Sequence, residues 1–452
     1  MSFGEKISDY KEEMLRDLDQ LMRIRSVSST DKAAAAEALG YILKRAEEMG
    51  FSTVNIDGLA GHAEYGEGEE LAAVLAHVDV VPAGEGWSTE PYCLTEKNGR
   101  LYGRGIVDDK GPAMAALYCM KALKDNNIKA NRRLRLILGA AEEIGMNDME
   151  LYFSREEMPC MAFTPDSEYG ICTNEKGIMQ LEISSKENDS TLLTQLSAGN
   201  AVNAVPARAD AMIDCTENED NILRRAADHS PCRYDFLYTM DGLRITSFGR
   251  ASHACVPNEG TNAAVHLIRL LSECFGRKAA GSLCSFIDDA IGLENDGASL
   301  GIACSDEQSG ALTVNTGIIE VGETASRVLI DIRYPVTSDS DEIFEKISEK
   351  ASYYGLRTKL VNHEPPLSVS DSAPITKLLS EAYKAVMGVE PELYSTGGGT
   401  YARTLKNNGV AFGPVFKGDP AKIHEADESI DKENFFRHAQ ICLEAMYRMA
   451  VQ

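Results

Sequence analysis

The chain has 452 residues, 44% hydrophobic and 25% charged, a balance ordinary for a globular protein and a length beyond what one core usually holds, so two domains are expected. Its 45 lysines and arginines against 70 aspartates and glutamates leave a formal net charge of −25, which argues against nucleic acid or an anionic membrane as a partner. The N-terminus lacks the apolar stretch of a secretory signal, no later stretch is apolar for long enough to span a bilayer, and the 11 cysteines are odd in number with no C-x-x-C spacing; a cytoplasmic protein with reduced thiols is the expectation.

Between Tyr10 and Arg23 the residues Met14, Leu15, Leu18, Leu21 and Met22 recur at helical spacing, and a second amphipathic helix is predicted from Lys32 to Met49, with Gly50 as its stop. The apolar runs Leu71–Ala76, Leu134–Leu138 and Cys160–Phe163 read as buried strands, and Pro112 suits the first turn of a helix from Ala113 to Lys124. After Gly177 the pattern changes. Ile178–Ile183, Leu243–Phe248 and Ser326–Arg333 alternate like half-exposed strands, and a helix is predicted over Thr261–Cys274. The pair Pro365–Pro366 cannot continue regular structure, and beyond it Ala373–Met387 and Lys432–Met449 read as long helices. The fold class expected is α/β: a first domain with a central, mostly parallel sheet formed by residues 1–177 and 367–452, and an inserted α+β domain over 178–366.

Each of the three apolar strands is followed by titratable residues: His77 and Asp79, then Glu142 and Glu143, then Asp166. Two more such segments stand at Gly103–Gly111, with Asp108 and Asp109, and at Ile423–Glu428, with His424. The C-terminal ends of strands are where open α/β sheets build their sites. A lone histidine such as His77 is usually a packing or surface residue, and a lone Glu-Glu pair a solvated helix start. Here, however, six carboxylates collect at apolar strand ends with few basic residues to neutralise them, a costly arrangement that bound divalent cations relieve. An oxygen-rich set with one or two imidazoles and no cysteine suits zinc, manganese or cobalt, and a hydrolase with paired metal ions follows as the leading reading.

In this order and spacing, the segments H-x-D-V-V-P, G-R-G-x-x-D-D-K-G, E-E-x-G, F-T-P-D and the late histidine resemble the M20 family of metallopeptidases, with carboxypeptidase G2, aminoacylase-1, succinyl-diaminopimelate desuccinylase and the PepV-like dipeptidases among its members. The resemblance covers nearly the whole chain, and the long insert is closest to the enlarged lid of the PepV-like enzymes, which implies a monomer. It implies a catalytic domain bearing a lid and a site with two divalent metal ions, zinc first, with manganese or cobalt as alternatives. His77 and Asp166 would hold one ion, Glu143 and His424 the other, and Asp108, joined to Asp109 by a cis peptide bond, would bridge them. Asp79 would orient the His77 imidazole, and Glu142 would be the general base acting on a water between the ions.

In the insert, Gly249–Ala254 resembles the family's G-x-x-S-H segment, so that His253 would stabilise the oxyanion, and Asn203 and Arg333 match substrate-binding positions. Arg333 could equally serve as the ion-pair partner of Asp331. The glycine-rich Gly397–Arg403 lacks the lysine-serine ending of a phosphate loop, and the resemblance makes it part of the substrate pocket. His62, His229, His266, His363 and His438 have no motif around them and read as surface or packing residues. One departure stands out: Ala141 occupies a position where many PepV-like sequences carry aspartate. The implied activity is hydrolysis of dipeptides. The alternatives are deacylation or desuccinylation of N-acyl amino acids by the same centre, or peptide binding without catalysis, against which the retained base and lid histidine speak.

Overall fold

The computed structural model describes residues 2–452, which fold into two compact units. One unit takes the chain up to Asn174, together with Leu367–Ser395 and Gly399–Gln452; the other takes Glu175–Pro366 with Thr396–Gly398.

The first unit is built on a nine-stranded sheet. Its centre is four parallel strands in the spatial order Arg133–Gly139, Leu71–His77, Met161–Thr164 and Gly409–Ala411. All seven residues of Leu71–His77 are buried, as expected for a parallel strand covered on both faces. Helix Lys110–Asp125 is buried along nearly its whole length and packs against the C-terminal helix Lys432–Val451, which Asp431 caps through the N–H groups of Glu433 and Asn434. The sequence places the first of these helices at Ala113, but it begins three residues earlier, at Lys110, so Pro112 lies within its first turn. At one side the sheet is extended by an antiparallel hairpin, Ser52–Ile56 with Ala60–Tyr65.

The second unit has an eight-stranded antiparallel sheet. Its outer strands are Arg233–Thr239 and Arg357–Glu364, and the alternating segments predicted around Ile178, Leu243 and Ser326 form the strands Gly177–Ser185, Gly242–Phe248 and Ser326–Tyr334. Helices Glu217–Ala227, Ala263–Phe275 and Ser340–Tyr353 supply the apolar faces that pack with it in one core. The fold class is therefore α/β with a mostly parallel central sheet, accompanied by an α+β unit. Among the described residues no helix is long and apolar enough to cross a membrane.

Two of the histidines without a motif are core residues. His438 is fully buried, with Nδ1 2.9 Å from the Tyr169 hydroxyl, and burial pulls its pKa down to about 3. His62 pairs with the Tyr152 hydroxyl at 2.8 Å, and burial, with Arg135 nearby, pulls it down to about 4. Both are neutral in the fold and protonate near pH 6.5 when unfolded, so the stability they contribute is complete above that pH and is lost as pH falls toward the folded values. Replacing His438 by Gln is therefore expected to flatten the fall in unfolding free energy between pH 6.5 and 4 by up to about 1.4 kcal/mol per pH unit, measured by denaturant titration of both proteins. Identical slopes would contradict a neutral buried His438.

Candidate metal centre

The C-terminal ends of the parallel strands carry the titratable cluster of the first unit. Leu71–His77 ends on His77, which is fully buried. Its Nδ1 lies 3.0 Å from the backbone carbonyl of Asp79 and 3.4 Å from that residue's carboxylate. Asp79 was expected to hold the imidazole through its side chain, but the carboxylate is engaged elsewhere: its two oxygens accept the backbone N–H groups of Glu142 (3.2 Å) and Glu143 (3.3 Å). The carbonyl holds the ring, and the side chain anchors the short Glu142–Ile144 turn at the end of the neighbouring strand.

Asp108 lies between two imidazoles, with Oδ1 2.9 Å from His77 Nε2 and Oδ2 2.8 Å from His424 Nε2. His424 also approaches Glu143 Oε2 at 3.3 Å, and His77 Nε2 approaches Asp166 Oδ2 at 3.8 Å. The Asp108–Asp109 peptide bond is cis, and Asp109 accepts the backbone N–H of His77 at 3.1 Å. Seven of the ten candidate residues thus converge in this unit: His77, Asp79, Asp108, Glu142, Glu143, Asp166 and His424. The other three, Asn203, His253 and Arg333, belong to the second unit.

The electrostatics are those of crowded anions. Burial, reinforced by neighbouring carboxylates, raises the pKa of Asp109, Glu142, Glu143 and Asp166. Asp108 goes the other way: burial opposes its ionisation, but the imidazoles of His424 and His77 outweigh burial and hold it below the usual carboxylate range. His424 is likewise penalised by its enclosure, yet Asp108 and Glu143 push it up to about 11.

The donor chemistry fits divalent cations. His77 Nε2 and Glu143 Oε1 are buried without a hydrogen-bond partner among the described residues, and both face the carboxylates. Two overlapping groups, His77/Glu142/Asp166 and His77/Asp108/Glu143, each bring ligand atoms within 4.8 Å of one another. The nearby basic residues do not neutralise them. Arg104 is paired with Glu428 at 2.6 Å, and Lys110 turns its ammonium to the carbonyls of Leu21 and Ile24 at 3.1 and 2.6 Å. An oxygen-rich site with two imidazoles and no thiolate can hold zinc, manganese or cobalt.

Three supporting residues escaped sequence reasoning. Glu428, fully buried, accepts the N–H groups of Gly105, Val107 and Asp108 and so shapes the loop that presents Asp108. Asp148 accepts the N–H of Ala141 at 2.8 Å and the hydroxyl of Tyr401, whose ring packs edge-on against His77. These contacts link distant parts of the chain. The one signal in the sequence was that Glu428 and Tyr401 fall inside segments already singled out.

In the second unit, Asn203 and His253 are exposed and lie on adjoining segments: Ala204 and His253 form an isolated β-bridge, and the Ala254 N–H donates to the Asn203 carbonyl at 2.9 Å. Arg333 is buried, makes a two-point pair with Asp331 at 2.6 and 3.1 Å, and donates to the Gly397 carbonyl at 2.9 Å.

With this geometry the comparisons with known proteins agree. Residues 73–448 match the model of peptidase family M20/M25/M40, and the chain belongs to that family. It is a peptidase of the M20 type. A Bacillus subtilis (strain 168) protein named "Putative dipeptidase YtjP" is 36% identical, over 100% of both chains. A Staphylococcus haemolyticus (strain JCSC1435) protein with the same kind of name is 32% identical over 99% of each. In fold, the chain is similar to the di-peptidase Dug1p of Saccharomyces cerevisiae (TM-score 0.64, 15% identity, 99% of this chain and 98% of the other) and to human carnosine dipeptidase 1 (TM-score 0.62, 14% identity, the same coverage).

Removing Glu428 would leave the Arg104 charge buried without its partner and three backbone N–H groups without an acceptor. Glu428→Ala is expected to lower the unfolding free energy by about 3–5 kcal/mol, read from denaturant unfolding. A loss below about 1 kcal/mol would show that the Gly105–Asp108 loop is held by something else.

Proposed function

We propose that the chain is a metal-dependent dipeptidase that hydrolyses the peptide bond of free dipeptides. The observation that carries this reading is the Asp108 carboxylate gripped between His77 and His424, with Glu142, Glu143 and Asp166 around it. Full-length relatives named as dipeptidases support the substrate class.

In this reading two divalent ions, zinc or else manganese or cobalt, are held by His77 and Asp166 on one side and by Glu143 and His424 on the other, with Asp108 shared. When bound, such ions supply Lewis acidity, polarising the scissile carbonyl and making water acidic enough to be deprotonated near neutral pH. The proton work falls to Glu142. Burial raises its affinity for a proton, with Asp166 and Glu143 adding to the effect against the pull of His77, which suits a base that takes a proton from water and returns it to the leaving amine. Asp79 fixes the backbone of Glu142 and Glu143, so one carboxylate can serve as base while its neighbour serves as ligand. In the second unit, acting as a lid over residues 178–366, His253 donates a hydrogen bond to the oxyanion, while Asn203 and Arg333 bind the substrate. The net charge of −25 and a lid of this length accord with a monomer that acts in the cytoplasm on small peptides, not on nucleic acid or membranes.

The test separates base from ligand. Glu142→Gln is expected to keep the parent's metal content while its turnover of dipeptides falls by about a hundredfold or more, with N-acyl amino acids assayed beside them. Loss of metal together with activity would make Glu142 a ligand, as the His77/Glu142/Asp166 grouping also permits. A parent enzyme that cleaves N-acyl amino acids and no dipeptide would replace the proposed substrate class.

A further inference from the structure

His253 is set in a segment clamped on both sides. The Val205 N–H donates to the Ser252 carbonyl at 2.9 Å, the Ala254 N–H to the Asn203 carbonyl at 2.9 Å, and the Val256 N–H to the His253 carbonyl at 3.0 Å. The backbone of His253 is therefore held, but the rotation and protonation of its ring need contacts of their own. Both come from the residue two positions on. The backbone N–H of Cys255 donates to His253 Nδ1 at 3.2 Å, and Cys255 Sγ lies 2.9 Å from the same nitrogen. A backbone N–H can only donate, so Nδ1 must accept, and the proton of the neutral imidazole resides on Nε2. Burial pushes the Cys255 thiol up, against the pull of Arg333, so the sulfur keeps its proton and it too can donate to Nδ1.

The thiol is itself held in place. A Cβ built on Gly397 would come within 2.6 Å of Cys255 Cβ, so glycine at 397 is what lets the cysteine side chain lie there, and the Gly397 carbonyl accepts from Arg333. A chain of contacts thus runs from Arg333 through Gly397 and Cys255 to the His253 ring, all within the second unit.

We propose that Cys255 is the positioning residue of the lid histidine: its backbone N–H and thiol address Nδ1 together, fix the ring's rotation and tautomer, and commit Nε2–H as the donor. The inference deepens the proposed function and rests on its assignment of His253 to the oxyanion. Cys255 acts through the histidine and not on the substrate.

The experiment has one arm that needs no activity. With 15N-labelled histidine in the metal-loaded full-length protein, and the His253 signal assigned by its loss in His253→Gln, the parent is expected to show the Nε2–H tautomer alone. Cys255→Ala should show a mixture with Nδ1–H, and Cys255→Ser, which keeps a donor, should restore the parent spectrum. In the second arm, hydrolysis of the dipeptide Ala-Leu, Cys255→Ala should lose about fivefold in kcat with KM and metal content unchanged, and Cys255→Ser should recover most of the loss. An Nδ1–H tautomer in the parent overturns the proposal, as does a Cys255→Ala protein with both the parent's tautomer and its kcat. A parent without any dipeptide hydrolysis but with the expected tautomers and variant shifts would refute the substrate class while upholding the positioning of the ring.

Discussion

Asp108 is the residue on which the rest of the structure depends. One carboxylate, buried at the mouth of a parallel sheet, faces an imidazole on each side, with further carboxylates close enough to raise one another's pKa. A fold does not gather like charges away from water without compensation, because each desolvated anion costs several kcal/mol. The imidazoles satisfy Asp108 alone. The remaining anions require cations, and the basic side chains close to them in the chain are turned to Glu428 and to backbone carbonyls.

Much of the first unit serves to hold that arrangement. The parallel strands bring His77, the Glu142–Glu143 turn and Asp166 to one edge. Behind them stand polar groups that never reach the centre: Asp79 grips the Glu142 and Glu143 amides, Asp148 grips Ala141 and Tyr401, and Glu428 grips the loop before Asp108. Ligand positions set by backbone hydrogen bonds to buried carboxylates are rigid ones, which is what a site that binds ions at fixed separations needs.

The core of the first unit is legible in the sequence because its signals are local. Apolar runs such as Leu71–Ala76 mark strands buried on both faces, and titratable residues just past them mark the sheet's C-terminal edge. The alternation from Ile178 likewise announces a sheet with one face covered. What could not be read depends on contacts between distant residues. Glu428 and Asp148 look like any acidic residue until the chain folds, because their partners lie up to hundreds of positions away or in backbone amides that carry no side-chain signature. The Ser52–Tyr65 hairpin has a mixed, partly exposed pattern with little periodicity to detect. For Asp79, spacing suggested a partner for the imidazole, whereas the fold gives that task to its carbonyl and leaves its carboxylate for the neighbouring strand.

If the carboxylate cluster exists to be neutralised by shared cations, Asp108 should govern the occupancy of the whole centre. The direct measurement is the metal content of purified parent and Asp108→Ala proteins after equilibrium dialysis against zinc, manganese or cobalt. The account predicts two ions per chain in the parent and loss from both positions in the variant, since one shared carboxylate offsets charge on both ions. Full occupancy in Asp108→Ala, or a parent that binds no divalent ion, would contradict it.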